Sequence, residues 1–147
     1  MKAKLEMGPR PFEILLVEDN LGDITLMKEI LKMSKFPIRL NVVRNGSEAL
    51  DYLYHEGVYQ DSKEPDLILL DLNLPKVDGR EVLAQIKRDS LLGHIPTLVM
   101  TSSKNEADVL EAYKNNANFY IVKPMDMDHY MVIMKYLEDF WITRTNK

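Results

Sequence analysis

Leu67-Ile68-Leu69-Leu70-Asp71-Leu72-Asn73-Leu74-Pro75-Lys76-Val77-Asp78-Gly79 is an apolar run that delivers one carboxylate to its end. Four large aliphatics in a row, with no polar residue between them, read as a strand buried on both faces, the habit of a parallel sheet covered by helices on each side. Asp71 therefore falls at a strand's C-terminal edge. In open α/β sheets that edge binds ligands, because loops and helix N-termini converge there. Pro75 fixes φ and Gly79 admits conformations that other residues avoid. The chain is expected to turn directly after the carboxylate and restart as a helix from Asp78.

Upstream of this stretch, Glu13-Ile14-Leu15-Leu16-Val17 is a second aliphatic run, and it too ends in acid, Glu18-Asp19-Asn20. Leu21, Ile24, Met27, Ile30 and Leu31 then recur at helical spacing. Ile38 to Val42 alternates with period two and is more polar than the other strands, which suits an edge. Gly46 to Tyr54 reads as an amphipathic helix with Ala49, Leu50 and Leu53 inward. Residues 55–65 form a connection longer than the usual two to about six residues, expected to be extra contact surface. Downstream, Glu81, Val82, Leu83, Ile86 and Lys87 mark a third helix, expected to end near Leu91-Leu92-Gly93-His94. Pro96 to Met100 is a strand ending in Thr101-Ser102-Ser103. A fourth helix carries Ala107, Val109, Leu110, Ala112 and Tyr113. Phe119 to Val122 is a fifth strand, ending in Lys123-Pro124, and a last helix runs from about Met127 to Trp141.

Strict βα alternation, five times over, gives an α/β fold: a doubly wound five-stranded parallel sheet flanked by five helices. Right-handed crossovers and a polar second strand favour the order 2-1-3-4-5, which sets strands one and three side by side. Glu18, Asp19 and Asp71 then meet at one edge.

The bulk numbers agree with one domain. The chain has 147 residues, 46% of them hydrophobic and 29% charged, close to the soluble globular average. The expected limits are a domain over 13–142 with flexible tails at 1–12 and 143–147. The absence of cysteine removes disulfides and thiolate chemistry and suits a cytoplasmic protein. A net charge of -4 provides no field for phosphate backbones, so nucleic acid is not expected as a partner. No apolar run has signal-peptide or membrane-span length, so no membrane residence is expected.

Carboxylates gathered at one edge repel unless they share protons or hold a cation, and an all-oxygen site with waters selects a hard ion such as Mg²⁺. Asp19 and Asp71 are the expected direct ligands, Glu18 acts through a water, and the Asn73 backbone carbonyl completes the protein side. Thr101 and Lys123 add a hydroxyl donor and a fixed cation beside Asp71. Together these groups describe a phosphoryl pocket, in which the Asp71 carboxylate is the nucleophile and cations neutralise the equatorial oxygens.

With these residues in place, the chain from about Glu13 to Trp141 resembles a CheY-like, flavodoxin-like receiver domain of a two-component response regulator. The elements that carry the resemblance are Glu18-Asp19, Asp71 with Pro75, Asp78 and Gly79, then Thr101, and Lys123-Pro124. The resemblance implies phosphorylation of Asp71 by a sensor histidine kinase, a transient aspartyl phosphate, and no ATP use of the domain's own. It also implies an aromatic switch at Tyr120, turning inward as Thr101 moves to the phosphoryl group. The long connection before the third strand, the segment from Asp71 to Leu83 and the Phe140-Trp141 ending resemble the single-domain regulators that accompany phytochrome-type kinases.

Nothing follows Lys147, so the expected output is a contact through helix four, strand five and helix five, with no enzymatic domain. On the last helix Tyr130, Met134, Leu137 and Trp141 form one stripe and Val132, Tyr136 and Phe140 another. The second, around Tyr136 and Phe140, is expected to be a homodimer or partner surface. Two rivals use the same residues. A haloacid dehalogenase-type phosphatase also uses a nucleophilic Asp with Mg²⁺, but it wants an acid where Asn73 stands. A scaffold that keeps the fold without phosphorylation is the other.

Overall fold

The computed structural model describes residues 10–102, 105, 119–123 and 127–145. Five parallel strands form one sheet in the order β2-β1-β3-β4-β5. They are β1 (Phe12–Val17), β2 (Ile38–Val43), β3 (Leu67–Asp71), β4 (Thr97–Thr101) and β5 (Phe119–Val122). The helices are α1 (Leu21–Leu31), α2 (Gly46–Leu53), α3 (Gly79–Arg88) and, at the C-terminal end, α4 (Met127–Thr145). This last element is the expected fifth helix. The segment expected as the fourth lies outside the described residues. α4 continues past position 142, where the domain was expected to stop, and β1 starts at Phe12, one residue earlier than the expected Glu13.

The sheet is buried on both faces because its central strands are mostly aliphatic, with polar residues confined to positions near their ends. Every residue of β1, β3 and β4 is buried. Alternate side chains feed two cores. Leu15, Val17, Ile68, Leu70 and Val99 point towards α2 and α3. Ile14, Leu16, Leu69, Leu98 and Met100 point towards α1 and α4. Truncating any of these to Ala would cost about 2–5 kcal/mol. β2, at the edge, is only partly buried except at Val43, as its polar alternation requires.

Three details depart from the periodicity. Leu21 is 62% exposed, because it opens α1 and faces away from the sheet. On α2, Tyr52 is buried where Leu50 is only partly so, since Tyr52 packs on Tyr59 with ring centroids 5.3 Å apart. α3 ends at Arg88 rather than near Leu91: the Asp89 carboxylate accepts from the Leu91 and Leu92 N–H groups and from Tyr54 Oη at 2.8 Å. The long 55–65 connection is mostly exposed, with Tyr59 and Ser62 partly buried and Pro65 buried. It contains a 3-10 turn at Gly57–Tyr59, and Ser62 Oγ donates to the Tyr52 carbonyl at 3.0 Å.

On α4 the buried centre is Ile133 and Leu137, both 0% exposed. Met134, Tyr136, Phe140 and Trp141 flank it, partly buried on the same core. Trp141 stacks on Phe36 with centroids 4.8 Å apart, and Tyr136 meets Phe140 edge-on at 4.8 Å. Burial pushes the Tyr136 hydroxyl up to about 12. The Tyr130 side chain lies outside the described residues.

Candidate phosphoacceptor site

The ends of β1, β3, β4 and β5 bring their polar residues to one edge. β3 hands Asp71 to the edge, and the chain turns at once. The Leu72 N–H donates to the Met100 carbonyl at 2.9 Å, and Gly79 N–H donates to the Leu72 carbonyl at 3.3 Å. Asp78 caps α3, its carboxylate accepting from the Arg80 N–H at 2.7 Å. Gly79 is needed here because a Cβ would lie 2.5 Å from Leu72 Cα and 2.6 Å from the Asp71 carbonyl oxygen. The turn therefore presses directly on the backbone that carries Asp71.

Asp71 is 4% exposed. Its Oδ1 accepts from the Asn73 N–H at 2.9 Å, and its Oδ2 lies 3.4 Å from Lys123 Nζ. Lys123 leaves the end of β5, where its N–H donates to the Thr101 carbonyl at 2.6 Å. The ammonium sits among three carboxylates: Asp23 at 2.7 Å, Glu18 at 2.8 Å and Asp71 at 3.4 Å. Glu18 is buried, and its second oxygen accepts from the Asn20 N–H at 3.1 Å.

The electrostatics follow from this crowding. Burial raises the Glu18 carboxyl to about 7, with the Lys123 hydrogen bond opposing and the Asp71 carboxylate adding to the rise. Burial disfavours the Lys123 ammonium, but its hydrogen bonds to Asp23 and Glu18 and the charges of Asp71 and Glu18 outweigh that and hold it above the ordinary lysine range.

Of the residues singled out from the sequence, Glu18, Asp71, Lys123 and Thr101 come together, with Thr101 fully buried at the end of β4. Asp19 stands aside: its carboxylate is half exposed, 3.8 Å from Arg44 Nη2. Glu18, expected to act through a water, pairs with Lys123 directly. Asn73 is exposed in the turn, and its Oδ1 accepts from Ser102 N–H and Oγ at 3.2 and 3.0 Å. Tyr120 is partly buried against the α2/α3 core. Ser103 and Pro124 lie outside the described residues. Asp23 was not anticipated. It is one more acid in the first turn of a helix, and only the fold reveals that it faces Lys123.

Among the described residues no group of three acids is placed to hold a metal ion as it stands; the three that converge do so on the Lys123 ammonium. The donor chemistry nonetheless fits a hard divalent ion. Asp71 Oδ2 is a buried carboxylate oxygen 3.4 Å from Lys123 Nζ, and the exposed Asp19 lies next to Glu18 on the same turn; all are oxygen donors.

The response regulator receiver domain family matches residues 14–135. Response regulator Rcp1 of Synechocystis sp. is 44% identical over 132 residues, covering 90% of each chain. Among solved structures, phosphorylated cyanobacterial phytochrome response regulator RcpA is 47% identical with a TM-score of 0.79, over 92% of this chain and 96% of that one. The Mn²⁺-bound form of Rcp1 is 44% identical with a TM-score of 0.78, over 89% and 94%.

Proposed function

Since this chain belongs to the response regulator receiver domain family, we propose that Asp71 is the carboxylate that accepts its phosphoryl group. As a receiver domain it is a phosphoacceptor in two-component signalling, its donor a histidine kinase, and receiver domains bind a divalent metal. The observation that carries the assignment to Asp71 is its position: a buried carboxylate at the end of β3, one oxygen held by the Asn73 N–H and the other turned towards Lys123.

In the proposed reaction Asp71 Oδ2 attacks the phosphorus of a phosphohistidine. The P–O bond forms as the P–N bond breaks, and its electron pair returns to the imidazole. The Asn73 N–H on Oδ1 keeps the carboxylate in one orientation. Lys123 binds one phosphoryl oxygen and the Thr101 hydroxyl another, replacing solvent with fixed donors. Mg²⁺ is the proposed ion; Asp19, Asp71 and the Asn73 carbonyl would hold it, with Glu18 acting through a water, and it would neutralise part of the phosphoryl charge. Water attack on the phosphorus of the acyl phosphate breaks its bond to the carboxylate, releases inorganic phosphate and restores Asp71. The domain promotes these steps on itself and is not an enzyme for a free substrate.

The signalling step we propose is a change of the surface formed by the segment after β4, β5 and α4, with Thr101 and Tyr120 as its switch. Tyr136 and Phe140 are the proposed contact for a second copy or a partner. The likeness to the phytochrome response regulator RcpA supports a phytochrome-type kinase as donor. No helix among the described residues is long and apolar enough to cross a membrane, and the proposed location is the cytoplasm. Borohydride reduction of the phosphorylated protein, followed by peptide mapping, tests the site. Conversion of Asp71 to homoserine is expected, and conversion at another carboxylate would overturn the assignment.

A further inference from the structure

The pocket holds a carboxylate that the phosphoacceptor chemistry does not require. Asp23 lies in the first turn of α1, three residues after the Asn20 cap, and its N–H donates to Asn20 Oδ1 at 2.9 Å. That bond sets the turn so that the Asp23 side chain reaches the C-terminal edge of the sheet. There Oδ2 meets Lys123 Nζ at 2.7 Å, closer than Glu18 at 2.8 Å or Asp71 at 3.4 Å. The Asp23 side chain is 30% exposed against 2% for Glu18 and 5% for Asp71. Asp23 thus grips the ammonium from the solvent side, at the mouth of the pocket.

A lysine ammonium donates three hydrogen bonds. Two are made at charge-assisted distances, to Asp23 and Glu18. The approach to Asp71 is long for such a bond, which should run nearer 2.7 to about 2.9 Å. The ammonium therefore holds Asp71 only weakly. An incoming phosphoryl group must draw the ammonium away from one of its two tighter partners. Glu18 is enclosed and held by a second bond to the Asn20 N–H. Asp23 is the partner that water can replace.

We propose that Asp23 is a positioning residue that holds Lys123 back from Asp71 and competes with the phosphoryl group for the same ammonium. This rests on the reading of Asp71 as phosphoacceptor and Lys123 as its phosphoryl partner. Asp23 then keeps the ammonium from closing on the acceptor oxygen in the resting state and weakens its hold on the phosphoryl group once that is attached.

The test is calorimetric titration of the full chain with beryllofluoride in saturating Mg²⁺, for wild type, Asp23→Asn and Asp23→Glu. Side-chain NMR of the Lys123 ε-methylene and ammonium is recorded on the same proteins without metal or beryllofluoride. Asp23→Asn is isosteric, and the Asn20 bond uses its backbone, so the turn is kept. The expected result is about fivefold tighter binding for Asp23→Asn, the scale of one partly exposed ion pair, with Asp23→Glu within about twofold of wild type. The Lys123 resonances of metal-free Asp23→Asn should move away from their wild-type positions. Unchanged or weaker binding by Asp23→Asn, while wild type binds normally, overturns the inference and leaves the phosphoacceptor reading intact. Tighter binding with unmoved Lys123 resonances also overturns it, since that is a bare charge effect. If wild type itself fails to bind, the reading of Asp71 falls and this inference with it.

Discussion

Lys123 Nζ and Glu18 Oε1 form a 2.8 Å ion pair between the ends of β5 and β1, strands separated in the sheet by β3 and β4. Both side chains are nearly enclosed, 12% and 2% exposed. The pair spans the edge on which Asp71 sits, so the Lys123 ammonium ties together the buried carboxylates of the pocket.

Lys123→Met should therefore destabilise the fold. It leaves Glu18 and Asp71 buried beside each other with no cation, and breaking a buried pair from one side costs about 3 kcal/mol. Urea unfolding followed by the fluorescence of Trp141, the single tryptophan, measures it. An unchanged midpoint would contradict the pairing.

Gly79→Ala should cost about 2–3 kcal/mol, since the new methyl meets backbone atoms that cannot rotate away. Those atoms belong to Leu72 and Asp71, so phosphorylation should slow as well. Gly57→Ala is the comparison. Gly57 has φ 60 with nothing within 4 Å of an added Cβ, so it should cost only the left-handed strain, about 1 kcal/mol. Equal costs at the two sites would contradict the close approach at Gly79.

Lys76 occupies the turn after Pro75 with φ 65, a left-handed conformation that strains a long side chain and suits Asn. Lys76→Asn should raise stability by about 0.5–1 kcal/mol. A loss of thermal stability would show that the Lys76 side chain contributes something beyond its backbone conformation.

Alkaline pH tests the packing of α4. The Tyr136 hydroxyl, raised by burial to about 12, keeps its proton where an unfolded tyrosine, near 10, has lost it. The unfolded state binds fewer protons in that window, so stability falls as pH rises from about 10 through about 12. Tyr136→Phe should show a shallower loss between urea midpoints taken at about pH 9 and about pH 11. Parallel slopes would mean that Tyr136 is solvated in the folded protein.

The sheet and most of the pocket were legible because every strand but the alternating β2 is a compact, mostly apolar run that leads to a polar residue at its end. Asp71, Glu18 and Lys123 stand at those ends, so the strand order alone brings them together. Asp23 was hidden because an acid in a first helical turn has an ordinary explanation in the helix dipole. Its direction depends on where Lys123 arrives, 100 residues later. The outward turn of Asp19 depends in the same way on Arg44, on the strand-two side of the edge. Leu50 and Tyr52 were exchanged because both are apolar and near one helical face, and the contact that decides between them comes from Tyr59 in the long connection. The end of α3 was overrun because its stop is a tertiary bond from Tyr54 to Asp89, which no local spacing records.

The most direct test of the central claim is the intact mass of the protein after incubation with acetyl phosphate, with and without Mg²⁺, for wild type and Asp71→Asn. The account predicts a Mg²⁺-dependent gain of one phosphoryl group by wild type and none by Asp71→Asn. A phosphoryl group gained equally by Asp71→Asn would contradict it.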